Sequence, residues 1–227
     1  MIELEPISKA EAARYMGVRA ETPDPATAAL LDKYEPLVRD TLRPAYVYRE
    51  TAVAFLPEGV KLEGMAEMLT GEDIRRHLEG CPRCVVLAAT VSTAADRLIR
   101  QTAVTDTAGA FAVDCLCSAA VEQVCRKAEE EIFADIQEKF RTWRFSPGYG
   151  DLPLELQGAF LSFVNAQRRI GLTVSESCML NPTKSVTALI GICGAEPAHR
   201  ESGCAVCSLR DRCGHDICSR SSKDRVR

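Results

Sequence analysis

The stretch CVVLAATV, Cys84 to Val91, decides the fold because it is the longest apolar run in the chain. It is far too short to span a bilayer. A strand that is buried on both faces has a continuous apolar run of this kind, whereas a half-buried strand alternates apolar and polar residues. The stretch therefore predicts a central strand that other elements cover on both sides.

Other segments on either side of this run predict neighbouring strands. AYVYRETAVAFL, Ala45 to Leu56, is rich in β-branched and aromatic residues and is partly alternating, and Gly59 to Leu62 is a short partner for it. SVTALIGI, Ser185 to Ile192, is the last convincing strand. We therefore predict an α+β fold with a mixed, largely antiparallel sheet covered by helices.

Helix signals surround these strands. Asp24-Pro25 is a capping residue followed by proline at the first helical position, and it starts a helix that runs to about Leu42. Ser8 to Met16 predicts a shorter helix, and Gly71-Glu72-Asp73 opens another that runs to about Leu78. The two helices before residue 44 predict a helical N-terminal extension.

The second half of the chain predicts two longer helices. Apolar residues recur at spacings of three or four from about Ala108 to Phe140, which indicates one long helix. Asp151 is the expected cap of a further helix, Leu152 to Ile170, which Gly171 ends. The predicted division is a helical extension at 1–44, an α+β core at 45–194 and a Cys-rich basic tail at 195–227.

Composition limits the classes of function. The chain has 227 residues, with 46% hydrophobic and 26% charged residues, as in ordinary globular proteins. The net charge of −4 gives no reason to expect nucleic acid as a partner. The first residues, MIELEPISK, include acids and no apolar run, so they do not indicate a signal peptide. We expect a cytoplasmic protein with no membrane partner.

Eleven cysteines are a high count for this chain. In a reducing cytosol we expect them to be core residues, ligands or thiolates rather than disulfides. Cys81-Pro82-Arg83-Cys84 lies beside the apolar run and indicates a turn and a core residue rather than a redox motif.

Four cysteines cluster in the tail, at Cys204, Cys207, Cys213 and Cys218. They resemble a four-thiolate metal site, and Cys193 could replace one ligand. The site could hold a structural zinc, or an iron–sulfur cluster able to pass an electron. The alternative is free thiols on a solvated basic tail.

The segment RFSPGYG, Arg144 to Gly150, combines a cation with turn-forming residues. A guanidinium binds a carboxylate through two parallel hydrogen bonds. Pro147 fixes the turn, Gly148 admits backbone close to a ligand, and Tyr149 offers a ring face and a hydroxyl. This corner suits a ligand that carries a carboxylate and a flat ring, and its alternative is a plain surface turn.

A second polar segment, SESCMLNPTK, begins at Ser175. Its Glu176 could receive an ammonium or the hydroxyls of a ribose, with Ser177 beside it. The alternative is local capping of the loop by these serine and glutamate side chains.

These two segments resemble the activation domain of cobalamin-dependent methionine synthase. Arg144 to Tyr149 is similar to that family's R-x-x-x-G-Y signature. Residues further on resemble, in the same order, its L-T-E-S-x-x-M-x-P-x-x-S-V pattern, with Val174-Ser175 inserted. They are Leu172-Thr173, Glu176-Ser177, Met179, Pro182 and Ser185-Val186.

The resemblance implies that the chain binds S-adenosylmethionine. By it, Arg144 holds the methionine carboxylate, Ser146 lines the ligand, and Pro147, Gly148 and Tyr149 shape the corner. The family's tyrosine pair after the last motif is missing, since Gly194-Ala195-Glu196 stands in its place. The contacts to adenosine are therefore not assigned.

The resemblance also implies a role in trans, because the chain contains no cobalamin or homocysteine module. The expected partner is a separate cobalamin-dependent methionine synthase or corrinoid methyltransferase that lacks its own activation domain, together with a flavodoxin-like or other reductant. The chain would then support reductive methylation of cob(II)alamin without a complete active site of its own. One rival function is an iron–sulfur redox activator of a corrinoid protein that does not bind S-adenosylmethionine, and another is a structural docking protein.

Overall fold

The computed structural model describes residues 2–18, 22–138 and 140–196. The helices are α1 Lys9–Tyr15, α2 Pro25–Thr41, α3 Glu72–His77, α4 Thr93–Ala103, α5 Thr107–Ala134, α6 Gln157–Phe163 and α7 Ala166–Ile170. The strands are β1 Ala45–Leu56, β2 Gly59–Leu62, β3 Met68–Leu69, β4 Arg83–Thr90, β5 Phe140–Arg141, β6 Thr173–Val174, β7 Leu180–Asn181 and β8 Ser185–Cys193. A short 3-10 helix, Leu154–Leu156, precedes α6.

Within the described residues, six strands form one largely antiparallel sheet in the order β3-β2-β1-β4-β8-β5, and β6 and β7 form a separate hairpin. The predicted α+β class is therefore confirmed. The apolar run supplies every residue of β4 except Arg83, and the residues from Cys84 to Thr90 are all buried. The predictions of β1, β2 and β8 agree with the structure within one residue.

The chain forms two compact units. The first contains Met1–Val47, Ala88–Ile136 and Val164–Val186, and the second contains Tyr48–Leu87, Gln137–Phe163 and Thr187–Arg227. The predicted division at residues 44 and 194 stays a prediction.

The first unit is mainly helical, with α5 packed against α1, α2 and α4. By length and composition alone α5 could cross a membrane, but 67% of its most apolar 18-residue stretch is buried inside the protein. Such burial is typical of the core helix of a folded protein.

Local capping explains where the helices of the first unit begin. Ser8 accepts a hydrogen bond from the amide of Glu11, and Asp24 accepts from two amides at the start of α2. Asp106 caps α5 by accepting from the amide of Gly109. Hydrogen bonds from the Tyr34 hydroxyl, the Gly109 amide and Lys33 lower the pKa of Asp106 to about 2, so the cap is charged at neutral pH.

The predicted long helix begins where expected, at Thr107, but its predicted end is wrong. It ends at Ala134 rather than Phe140, because Phe140 and Arg141 pair with Cys193 and Ile192 of β8. Pairing with the sheet overrides the helical spacing that extends to Phe140. The separate helix α4 before it, capped by Ser92, was not predicted.

The helix predicted from Leu152 to Ile170 is two shorter helices. Asn165, in the left-handed conformation with φ 54°, separates α6 from α7. Gly171 does end α7, with φ 67°. Asp151 does not cap this region, and its actual role belongs to the site described below.

The expectation that the cysteines are reduced is wrong for Cys81 and Cys193, which form a disulfide. Both belong to the second unit and both are buried. The sulfur of Cys193 is therefore not the alternative metal ligand that the sequence suggested. Cys84 is a free, buried core residue as expected.

Candidate functional site

The arginine of the candidate corner lies on a β-bulge beside β8. Two backbone-bonded pairs flank it, Thr142 with Gly191 and Phe145 with Leu189. Trp143 and Arg144 therefore lie opposite the single residue Ile190. A bulge of this kind bends the strand and re-aims the side chains it carries, and such bulges are frequent beside active sites. Arg144 is half-buried there.

The residues after the bulge form the tight turn that the sequence predicted. The amide of Tyr149 donates to the carbonyl of Ser146 at 3.0 Å, and the amide of Gly148 donates to the carbonyl of Leu152 at 2.9 Å. Gly148 has φ 88°, and a Cβ there would lie 3.2 Å from Leu154 Cδ1. A side chain at this position would be strained, so glycine is required by the backbone itself.

Aromatic rings gather at this turn. Trp143 and Tyr149 lie with ring centroids 6.3 Å apart and planes 29° from parallel, and Phe145 is 5.2 Å from Trp143 and 6.0 Å from Tyr149. Tyr149 is 51% exposed, whereas Phe145 is buried. The turn thus carries a half-exposed aromatic ring next to a buried one, and an exposed ring of this kind suits stacking of a flat ligand ring.

The fourth ring of the cluster is His77, at the end of α3. Its ring centroid lies 4.9 Å from that of Trp143 and 4.8 Å from that of Phe145. Burial lowers the pKa of His77 to about 4, and a hydrogen bond with the backbone of Trp143 opposes this only in part. The imidazole is therefore neutral at pH 7, and its Nε2 lies 2.8 Å from the Thr142 hydroxyl.

The turn is also joined to the start of α3 through two carboxylates. Asp151 accepts hydrogen bonds from the amides of Glu72 at 2.6 Å and Asp73 at 3.1 Å. Asp73 in return accepts from the amide of Asp151 at 3.2 Å. Gly71, the residue before α3, offers no side-chain cap. Asp151 thus caps α3 rather than the following helix, and it holds the turn against that helix.

Glu176 and Ser177 lie at the tip of the β6–β7 hairpin, which belongs to the first unit. The Ser175 amide donates to the carbonyl of Met179 at 2.9 Å, and the Ser175 and Ser177 hydroxyls are 2.9 Å apart. Glu176 and Ser177 are exposed. The Ser175 hydroxyl accepts from the amide of Met179 at 3.1 Å and so caps the loop locally. The ligand roles of Glu176 and Ser177 stay predictions.

The proposed metal ligands Cys204, Cys207, Cys213 and Cys218 lie outside the described residues. Within residues 2–18, 22–138 and 140–196, no group of three or more His, Cys, Asp or Glu is placed to hold a metal ion. A zinc or iron–sulfur site in the tail thus stays a prediction.

Sequence reasoning missed His77 and Thr142, the two buried residues that adjoin the corner. They are 65 positions apart in the chain. Neither belongs to a motif, and a lone histidine at the end of a short helix gives no signal of its own.

Comparison with known proteins gives a likeness of fold. No protein-family model and no curated protein matches this chain. A solved structure described as the MetH reactivation domain bound to AdoHcy is similar, with a TM-score of 0.60 and 14% sequence identity. The similarity covers 87% of this chain and 76% of that chain. This protein therefore has a fold related to that of the MetH reactivation domain.

Proposed function

We propose that this protein binds S-adenosylmethionine at the corner from Arg144 to Tyr149 and supports the reductive methylation of cob(II)alamin on a separate methionine synthase or corrinoid methyltransferase. One observation carries the proposal. The arginine–glycine–tyrosine motif forms a tight, aromatic-walled turn, in a fold related to that of a domain solved with AdoHcy.

Each group at the corner has a role in this binding. The Arg144 guanidinium forms two parallel hydrogen bonds with the methionine carboxylate. Gly148 lets the backbone approach the ligand, Ser146 lines it, and the exposed Tyr149 ring covers its flat part. His77 remains neutral under the turn, so it adds no positive charge that would repel the sulfonium.

The chemistry needs placement rather than acid–base catalysis. The sulfonium methyl is already activated for transfer, so the protein contributes orientation and exclusion of water. The partner's cobalamin is the methyl acceptor, and a flavodoxin-like or other reductant supplies the electron that this transfer consumes.

Calorimetric titration of the full chain tests the binding. S-adenosylmethionine and S-adenosylhomocysteine should both bind with 1:1 stoichiometry, and 5′-methylthioadenosine, which lacks the amino-acid carboxylate, should bind more weakly. If neither of the first two ligands bound, with or without a cobalamin-loaded methyltransferase, the proposal would be overturned.

A further inference from the structure

We propose that a buried hydrogen-bond chain from His77 through the Thr142 hydroxyl to the Gly191 amide positions Arg144 for its ligand. This inference rests on the proposed function. It concerns two residues that touch no ligand and act through the bulge.

The first step is that the bulge has lost a normal bond of the sheet. The amide of Thr142 donates to the carbonyl of Gly191 at 3.0 Å, as in a regular antiparallel pair. The return bond from the Gly191 amide goes to the Thr142 hydroxyl, at 2.7 Å, instead of to a backbone carbonyl. A side chain therefore closes the ladder where the extra residue is inserted.

The second step is that burial makes these bonds mutually dependent. Thr142 is 5% exposed and His77 is 7% exposed. The Thr142 hydroxyl accepts from Gly191 and lies 2.8 Å from His77 Nε2, so it joins the two groups. A buried polar group that loses its partner costs more than an exposed one, because water cannot replace the lost bond.

The third step is that the hydrogen-bond chain packs, through His77, against both neighbours of Arg144. The His77 ring contacts Trp143 and Phe145, which precede and follow the arginine. A Cβ on Gly191 would lie 2.7 Å from Cys81 Sγ and 3.1 Å from Thr142 Cγ2, so only glycine lets the backbone pack this closely against both side chains. The bulge is thus held from both sides.

A guanidinium needs this accuracy. It binds a carboxylate in bidentate fashion over a narrow range of angles, and a displacement of about 1 Å at a positioned group can be costly. We therefore assign His77 and Thr142 as positioning residues for Arg144.

The test replaces Thr142 by valine, which keeps the shape and removes the hydroxyl. We expect Thr142→Val to weaken S-adenosylhomocysteine binding about tenfold, which corresponds to the loss of one hydrogen bond between a misplaced Arg144 and the carboxylate. Binding of 5′-methylthioadenosine should not change, because it has no carboxylate for Arg144. Thr142→Ser keeps the hydroxyl, so this variant should bind S-adenosylhomocysteine with the affinity of the wild type. Thr51→Val is the matched control, since Thr51 is also buried and donates to the carbonyl of Glu63 at 2.8 Å.

A double-mutant cycle separates positioning from general destabilisation. In the Arg144→Ala background, Thr142→Val should cause no further loss of S-adenosylhomocysteine affinity. Equal loss for both ligands, or a full additional loss in that background, would overturn the inference. If Thr142→Val fails to fold, His77→Phe takes its place, because it keeps a ring and removes the nitrogen atoms.

The inference can fail separately from the proposed function. If the wild-type protein binds neither S-adenosylmethionine nor S-adenosylhomocysteine, the proposed function is wrong. The NMR resonance of the Arg144 Nε–Hε group then decides the inference. A shift in Thr142→Val that is absent in Thr51→Val supports the positioning role, and an unchanged resonance overturns it.

Discussion

At the scale of single residues, Arg144 carries the proposed recognition of the carboxylate. Arg144→Ala should weaken S-adenosylmethionine binding by about 1.5–3 kcal/mol, the contribution of a hydrogen bond to a charged group. Arg144→Lys should recover only part of this, because an ammonium lacks the planar fork. Calorimetry measures both, and Arg141→Ala is the control on the neighbouring exposed arginine. If a folded Arg144→Ala protein binds with wild-type affinity, the corner is a simple turn and not a ligand site.

His77 gives the protein a pH dependence of stability with a defined sign. The folded protein keeps the imidazole neutral to about pH 4, whereas the unfolded chain takes up the proton near pH 6.5. The unfolded state therefore binds more protons between these values. The neutral, buried His77 therefore makes its full contribution to the free energy of unfolding above pH 6.5. As the pH falls toward 4, the free energy of unfolding decreases by up to about 3 kcal/mol.

Denaturant unfolding at pH 7.5 and pH 5 measures this dependence. His77→Phe cannot titrate, so its stability should fall less between the two pH values than that of the wild type. The carboxylates are the same in both proteins and cancel in the comparison. Parallel pH profiles for the two proteins would show that His77 titrates normally in the folded state.

The sequence predicted the residues of the corner but not the residues that support it. Arg144, Gly148 and Tyr149 are consecutive enough to form a motif, and Gly148 does adopt the positive φ that only glycine favours. Thr142 and His77 meet only because β8 brings the bulge beside the end of α3. Contacts of this kind depend on tertiary structure, so no local pattern encodes them.

At the scale of elements, the cap of α3 is the clearest interaction between the turn and a helix. The amide of Glu72 and its acceptor Asp151 are 79 residues apart in the chain. Asp151→Ala should destabilise the protein by about 1 kcal/mol, as expected for loss of a helix cap. Asp151→Asn should retain part of the stability, because its single amide oxygen can still accept from one of the two amides.

Urea unfolding measures this effect, with Glu155→Ala as the control on an exposed acid of the same segment. Equal stability of Asp151→Ala and wild type would mean that water replaces the carboxylate at the helix start without cost. Asp151 was correctly predicted to be a helix cap, but it was assigned to the wrong helix. N-cap rules consider only neighbours in the chain, and this cap comes from a distant segment.

The helix boundaries show a similar competition between local and long-range preferences. The apolar spacing that runs to Phe140 would fit a longer α5, yet Phe140 pairs with Cys193 in the sheet. Asn165 likewise breaks a segment that local pattern treats as one helix. Strands β4 and β8 were predicted well because their apolar composition agrees with their burial. Strand β1 was predicted from its β-branched and aromatic residues, although most of it is exposed.

At the scale of the whole molecule, the disulfide between Cys81 and Cys193 joins residues 112 positions apart. Closing so long a loop restricts the unfolded chain, and disulfides of this kind typically stabilise by about 2–4 kcal/mol. The double variant Cys81→Ala with Cys193→Ala should be less stable by that amount. A reducing agent should lower the stability of the wild type and leave the double variant unchanged.

Peptide mapping after alkylation of the denatured, unreduced protein checks the bond itself. Cys81 and Cys193 should stay unlabelled and linked, whereas the half-buried free Cys178 should be labelled. Labelling of both Cys81 and Cys193 would contradict the disulfide. The sequence could not predict this bond, because the state of the cysteines was inferred from an expected compartment and their proximity depends on the fold.

Trp143 is the single tryptophan of the chain, and it lies within the aromatic cluster of the corner. All tryptophan fluorescence of this chain therefore originates a few ångströms from Tyr149 and His77. The emission is a built-in optical reporter, and it needs no label and no engineered chromophore. Ligand that covers the rings, or solvent that reaches them when the turn opens, should change the emission wavelength directly, so stopped-flow mixing could follow the corner in real time.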